Sequence, residues 1–240
     1  MNWPRLVLLP GLDGTGDLFC PFLNAVGSAV PSTVVRYSMP EVYDYAECRA
    51  VAGAQLPDSE PYILVGESFS GPIAVSIAAA NPPGLRGLVL VGSFVETPRL
   101  ALRWLSAFVD VLPTHNGPSW LTDFVLLGRW ATPELRQRIA NAMAKVSQVA
   151  VRARLREIAH VNVSVELSKI QAPILYLRAT HDRLVPRSSA DRIVKLAPRV
   201  VVVEIDAPHM LLQCAPTECA KAIQDFAREA EEAHRGPVNN

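Results

Sequence analysis

Residues 62–71 read Tyr62-Ile63-Leu64-Val65-Gly66-Glu67-Ser68-Phe69-Ser70-Gly71, and Pro72 to Asn81 continue in alanine and aliphatic residues. Four apolar residues in a row, with no polar alternation, are the pattern of a strand covered on both faces. The alanine-rich stretch behind them, with a proline at its start, is the pattern of a buried helix. The switch between the two is completed around Ser68. Small residues two before and two after a serine let such a strand-to-helix turn close and present the hydroxyl. Gly66 fits this, and Ser70 takes a position where glycine is usual, with Gly71 directly after it. The alternative is a loop serine that only caps a helix over Phe69–Asn81.

Outward from this turn the same rhythm repeats. Apolar runs at Arg5–Leu9, Thr33–Tyr37, Tyr62–Val65, Gly87–Val91, Ile174–Arg178 and Val200–Ile205 alternate with helical patterns at Tyr43–Gln55, Ser70–Asn81, Ser188–Leu196 and Thr217–Ala233. Alternation of this kind predicts an α/β fold, a mostly parallel doubly wound sheet of about six strands. The rhythm breaks once, between Glu96 and Lys169. Only helical patterns occur there, at Arg99–Leu112, Ser119–Leu127, Pro133–Val146 and Val149–His160. They read as a helical cap (96–169) inserted after the fourth strand into a single domain spanning 1–240, whose core is 1–95 and 170–240.

Composition agrees with one core. The 240 residues are 50% hydrophobic, and 23 Lys+Arg balance 23 Asp+Glu. Neutrality argues against nucleic acid or an anionic membrane as a whole-surface partner. The apolar run at Leu6–Leu9 ends in Pro10-Gly11 and is too short for a signal sequence or a membrane span. Cys20, Cys48, Cys214 and Cys219 form no zinc-binding pattern, and the expectation is a cytoplasmic protein with reduced thiols.

A nucleophilic serine needs a base and an acid that orients the base. On a sheet of this kind they follow in the order Ser, Asp or Glu, His, on loops beyond strand carboxyl ends. The fifth strand pattern is followed by Ala179-Thr180-His181-Asp182, and the sixth by Asp206-Ala207-Pro208-His209. Asp182 and His209 are therefore the expected partners of Ser68. Glu96, after the fourth strand, is the second candidate for the acid. Asp206 is too near His209 in sequence to orient it. His181, His115, His160 and His234 carry no comparable signal, and Glu67 is expected to pack or hydrogen-bond beneath the turn.

These motifs together resemble the α/β-hydrolase fold superfamily over nearly the whole chain. The helical insert and the Leu184-Val185-Pro186-Arg187 segment further resemble small carboxylesterases, a group that includes pimeloyl-carrier-protein methyl esterases. The resemblance implies an oxyanion hole built from two backbone N–H groups, those of Leu12 and Phe69. In the family the loop after the first strand usually begins His-Gly; here Pro10 replaces the histidine before Gly11. Asp13, next to Leu12, is left open between lining the pocket and bracing the loop. No metal or organic cofactor is implied.

The expected activity is a serine esterase cleaving short or medium acyl esters through an acyl-enzyme. Trp104, Phe108, Trp120, Phe124 and Trp130 in the insert are candidate substrate-binding residues, since aromatic side chains over a site favour acyl or aryl groups. From Arg129 to Arg156 seven basic residues stand against Glu134 alone. This predicts either solvated helix faces or a docking surface for an acidic acyl carrier protein with a carrier-bound or thioester substrate. A slow-turnover receptor on the same fold is the rival from outside enzymes.

Overall fold

A computed structural model describes residues 3–37, 44–99, 120 and 123–235. Strand β1 (Arg5–Leu9) leads through helix α1 (Cys20–Val26) to β2 (Ser32–Val34) and through α2 (Tyr45–Gly53) to β3 (Tyr62–Glu67). Helix α3 (Gly71–Ala78) connects β3 to β4 (Leu85–Val91). An inserted segment then carries α4 (Pro133–Ala144), α5 (Gln148–His160) and the short α6 (Ser164–Leu167). The sheet resumes with β5 (Ile174–Ala179), α7 (Arg187–Leu196) and β6 (Val200–Ile205), and the described chain closes on α8 (Leu211–Cys214) and α9 (Pro216–Arg235).

The six strands are all parallel, in the order β2-β1-β3-β4-β5-β6. Alternate residues of each inner strand feed two separate cores. Val7, Leu9, Tyr62, Leu64, Leu88, Leu90, Ile174 and Tyr176 enter one. Leu6, Leu8, Ile63, Val65, Val89, Val91, Leu175 and Leu177 enter the other. Coverage on both faces is why these strands read as unbroken apolar runs. Strand β6 is different. It is an edge strand, and Val201 is 55% exposed.

The order of connection fixes where a ligand can bind. The chain leaves β1 for β2 on one side and returns to β3 on the other, and such a switch point opens a crevice beyond the strand carboxyl ends. Leu9 of β1 is in register with Gly66 of β3, so the Pro10–Gly14 loop and the Ser68 turn emerge side by side.

Two expectations differ in detail. The strand predicted at Thr33–Tyr37 ends at Val34, although Val35 and Tyr37 stay fully buried. Of the helix predicted over Ser119–Leu127, Trp120 is helical and Asp123–Leu127 form a π-helical turn, followed by a 3-10 turn at Gly128–Trp130; residues 119, 121 and 122 lie outside the described residues. Gly128, directly past the predicted end, takes φ 53°, a left-handed conformation that stops the turn there. The helix predicted at Arg99–Leu112 lies, Arg99 apart, outside the described residues.

Candidate active site

Strand β3 ends extended at Glu67, and Ser68 turns sharply with φ 47°, a left-handed conformation that costs a non-glycine residue. Close packing on either side holds it. A Cβ on Gly66 would lie 2.8 Å from Ala74 Cβ and 2.9 Å from the Ser70 carbonyl oxygen. A Cβ on Gly71 would lie 1.7 Å from Ser93 Oγ. The crowding thus falls at 66 and 71, and position 70 tolerates serine. The buried Ser70 hydroxyl donates to the Pro10 carbonyl and lies 2.6 Å from the Tyr37 hydroxyl, tying the turn to the β1 loop. Ser93 Oγ donates to the Ser68 carbonyl at 2.7 Å, and Tyr176 Oη donates to the Ser93 carbonyl at 2.7 Å.

The structure brings Ser68, His209 and Asp182 together. Ser68 Oγ lies 2.9 Å from His209 Nε2, and His209 Nδ1 lies 2.8 Å from Asp182 Oδ2. The second oxygen of Asp182 accepts from the N–H groups of Leu184 and Val185, at 2.8 and 2.9 Å. Both side chains of the His209–Asp182 pair are 6% exposed. A carboxylate only accepts, so the imidazole proton belongs on Nδ1, and the Nε2 lone pair faces the Ser68 hydroxyl. Glu96 is not part of this chain. Its carboxylate pairs with Arg192 at 3.4 Å. Asp206 binds Arg129 at 2.7 Å and His181 at 3.1 Å, beside the His209 loop and facing solvent.

The Gly11–Gly14 turn lies alongside. Gly14 N–H donates to the Gly11 carbonyl at 3.0 Å, closing a β-turn around Leu12 and Asp13. Asp13 is buried, and its Oδ2 accepts from the N–H of Thr15 at 2.9 Å and from the Thr15 hydroxyl, so it braces the loop. Phe69 is fully buried, with its ring stacked on Tyr45 at 4.8 Å. Beneath the turn Glu67 accepts from Gln213 Nε2 at 2.9 Å. Burial, aided by Asp13, pushes its carboxyl from 4.5 up to about 7.

The aromatic candidates divide. Trp104 and Phe108 lie outside the described residues. Trp120 and Phe124 are 65% and 56% exposed. The Arg183 guanidinium covers Phe124 at 3.9 Å, and the Trp130 ring is 5.3 Å from His181, so both rest on the loop around Asp182. Arg154 departs from the sequence expectation of a solvated or docking face, because it is fully buried. Its guanidinium donates to the carbonyls of Leu12 and Asp13. Sequence reasoning assigned no role at the site to Arg154, Ser93, Tyr37 or Gln213, and no local pattern marks them. Among the described residues no group of three or more His, Cys, Asp or Glu is placed to hold a metal ion, and no helix is long and apolar enough to cross a membrane.

Comparison with known proteins agrees with this architecture. The chain is 24% identical to pyrrolizixenacetamide deacetylase of Xenorhabdus hominickii, over 94% of this chain and 85% of that one. It is 26% identical to the pimeloyl-[acyl-carrier protein] methyl ester esterase of Aromatoleum aromaticum, over 95% of this chain and the full length of the relative. A thermophilic esterase from Thermogutta terrifontis superposes with a TM-score of 0.79 at 17% identity, covering 95% of this chain and 91% of that structure. Residues 6–222 match the family model itself, and the chain belongs to the alpha/beta hydrolase family.

Proposed function

We propose that the protein is a serine hydrolase of carboxylic esters with short or medium acyl chains, with 96–169 forming a cap over the site. The observation that carries this reading is the unbroken chain from Ser68 Oγ through His209 to Asp182 at the sheet's switch point. His209 Nε2 takes the Ser68 proton as Oγ attacks the ester carbonyl. Asp182 holds the ring and stabilises the imidazolium. The N–H groups of Leu12 and Phe69 receive the oxyanion, each contributing about 3 kcal/mol in the transition state. Collapse of the tetrahedral intermediate expels the alcohol with a proton from His209. Water, deprotonated by His209, then releases the acid and restores Ser68.

Relatives named as pimeloyl-[acyl-carrier protein] methyl ester esterases favour a second reading, in which the ester is carried on an acyl carrier protein. A panel of p-nitrophenyl esters graded by chain length, run beside carrier-bound methyl esters, separates the two. Ser68→Ala is expected to abolish ester turnover and fluorophosphonate labelling while leaving the circular dichroism spectrum unchanged. Turnover above a trace in that variant defeats the assignment.

A further inference from the structure

Five successive carbonyls after β1 are each held by a donor. Pro10 accepts from Ser70, Gly11 from the N–H of Gly14, and Gly14 from the N–H of Tyr37. The two between them, Leu12 and Asp13, are held by Arg154 Nη1 at 2.8 and 2.9 Å. Arg154 comes from α5 of the inserted segment. Its guanidinium lies flat against the turn, where a Cβ on Gly14 would meet Nη1 at 2.6 Å. It is fully buried, and its Nε and Nη2 have no hydrogen-bond partner. Among the described residues it forms no ion pair, and its nearest rings, Tyr37 and Phe69, are 5.7 and 6.0 Å away. Burying a cation with idle donors is unfavourable, so packing alone does not account for an arginine here.

We infer that Arg154 is a positioning residue for the oxyanion donor: it locks the peptides that follow Leu12, so that the Leu12 N–H keeps one direction only while α5 is seated. The geometry is that of a trans peptide. With the Gly11 carbonyl turned toward Gly14, the Leu12 N–H points to the opposite side. That plane can still swing unless the next one is held, and Arg154 holds the next one. The inserted segment thereby reaches the reaction centre through a side chain that holds the backbone of the Leu12 loop. This inference rests on the esterase reading of Ser68, Leu12 and Phe69.

The test uses the full chain as Arg154→Met and Arg154→Lys, with a p-nitrophenyl ester as substrate. Two inhibitors of matched chain length are added, a trifluoromethyl ketone and its unfluorinated ketone. Ser68 Oγ adds to the trifluoromethyl ketone carbonyl as its proton passes to His209, and the resulting hemiketal places an alkoxide at the oxyanion position, whereas the plain ketone reports ground-state binding. In Arg154→Met, kcat is expected to fall about 30-fold, less than the loss of a donor outright, with KM changed by less than about threefold. Affinity for the trifluoromethyl ketone falls by the same factor as kcat/KM, and affinity for the plain ketone is kept. Arg154→Lys retains charge and length and gives an intermediate loss; it carries the measurement alone should the Met variant fail to fold. Unchanged kcat/KM, or equal weakening of both ketones, overturns the inference while the esterase reading stands. Absence of Ser68-dependent turnover in the unsubstituted protein overturns both.

Discussion

Glu67 stands directly before Ser68 with its side chain buried, in a position where ionisation is opposed. Burial is the main cause and Asp13 adds to it; the Gln213 bond, His209 and the Gly11 N–H work in the other direction, and the carboxyl reaches about 7. Gly11 is flanked by both acids: a Cβ at this position would lie 3.7 Å from Asp13 Oδ1 and 3.8 Å from Glu67 Oε2. A carboxyl whose pKa is higher folded than unfolded binds its proton more tightly in the native state. Its stabilising contribution is complete below the unfolded value of 4.5 and is lost as pH rises to about 7. Glu67→Gln mimics the protonated form at every pH. Urea unfolding at pH 5 and pH 8 is expected to show the unsubstituted protein losing about 2 to 3 kcal/mol more than the variant across that interval. Parallel losses would remove Glu67 from the account. The sequence placed Glu67 beneath the turn, but not its shared neighbourhood with Asp13: there the two are separated acids, and only the fold turns both toward Gly11.

At the scale of elements, the junction of β3 and α3 was the most legible part of the chain, because its chemistry is local. Gly66, the serine and the abrupt change of periodicity all lie within a few residues. That serine is small enough for position 70 was legible too; its bonds to the Pro10 carbonyl and the Tyr37 hydroxyl were not, because both partners are distant in sequence. Ser93 fills the space against Gly71 and also holds the Ser68 carbonyl. Gly71→Ala therefore forces Ser93 away and frees the carbonyl of the candidate nucleophile. The expected result is a stability loss of about 1 to 3 kcal/mol, as for other overpacked sites, together with at least about a tenfold fall in kcat. Adding Ser93→Gly removes the clash and should recover the melting temperature. It does not restore the Ser68 contact, so activity should stay low. Full recovery of kcat in the double variant would show that Ser93 serves only to fill space.

For the whole molecule, the parallel sheet was readable because the inner strands are apolar on both faces, and Asp182 and His209 were readable because the sheet delivers them to its carboxyl edge. The inserted segment was readable only as helical pattern. Charge there depends on which partners the fold supplies, which composition does not encode. Arg129, Arg136, Arg138 and Lys145 each meet a carboxylate, on Asp206, Asp123, Glu134 and Asp17, at 2.6 to 2.9 Å. Arg154 is turned inward onto the Leu12 loop. A run that looks strongly basic in sequence is thus largely compensated where these side chains meet the surface. Long-range attraction to an acidic carrier protein requires uncompensated charge and weakens steeply with salt. If a carrier-bound ester is the substrate, its kcat/KM should change by less than about threefold between low and roughly physiological salt, because close contacts and not steering select it. A small p-nitrophenyl ester measured in parallel corrects for any effect of salt on the chemical step. A steep fall confined to the carrier-bound ester would mean that the inserted segment presents a net positive field despite these pairs, and would restore electrostatic docking as the source of selectivity.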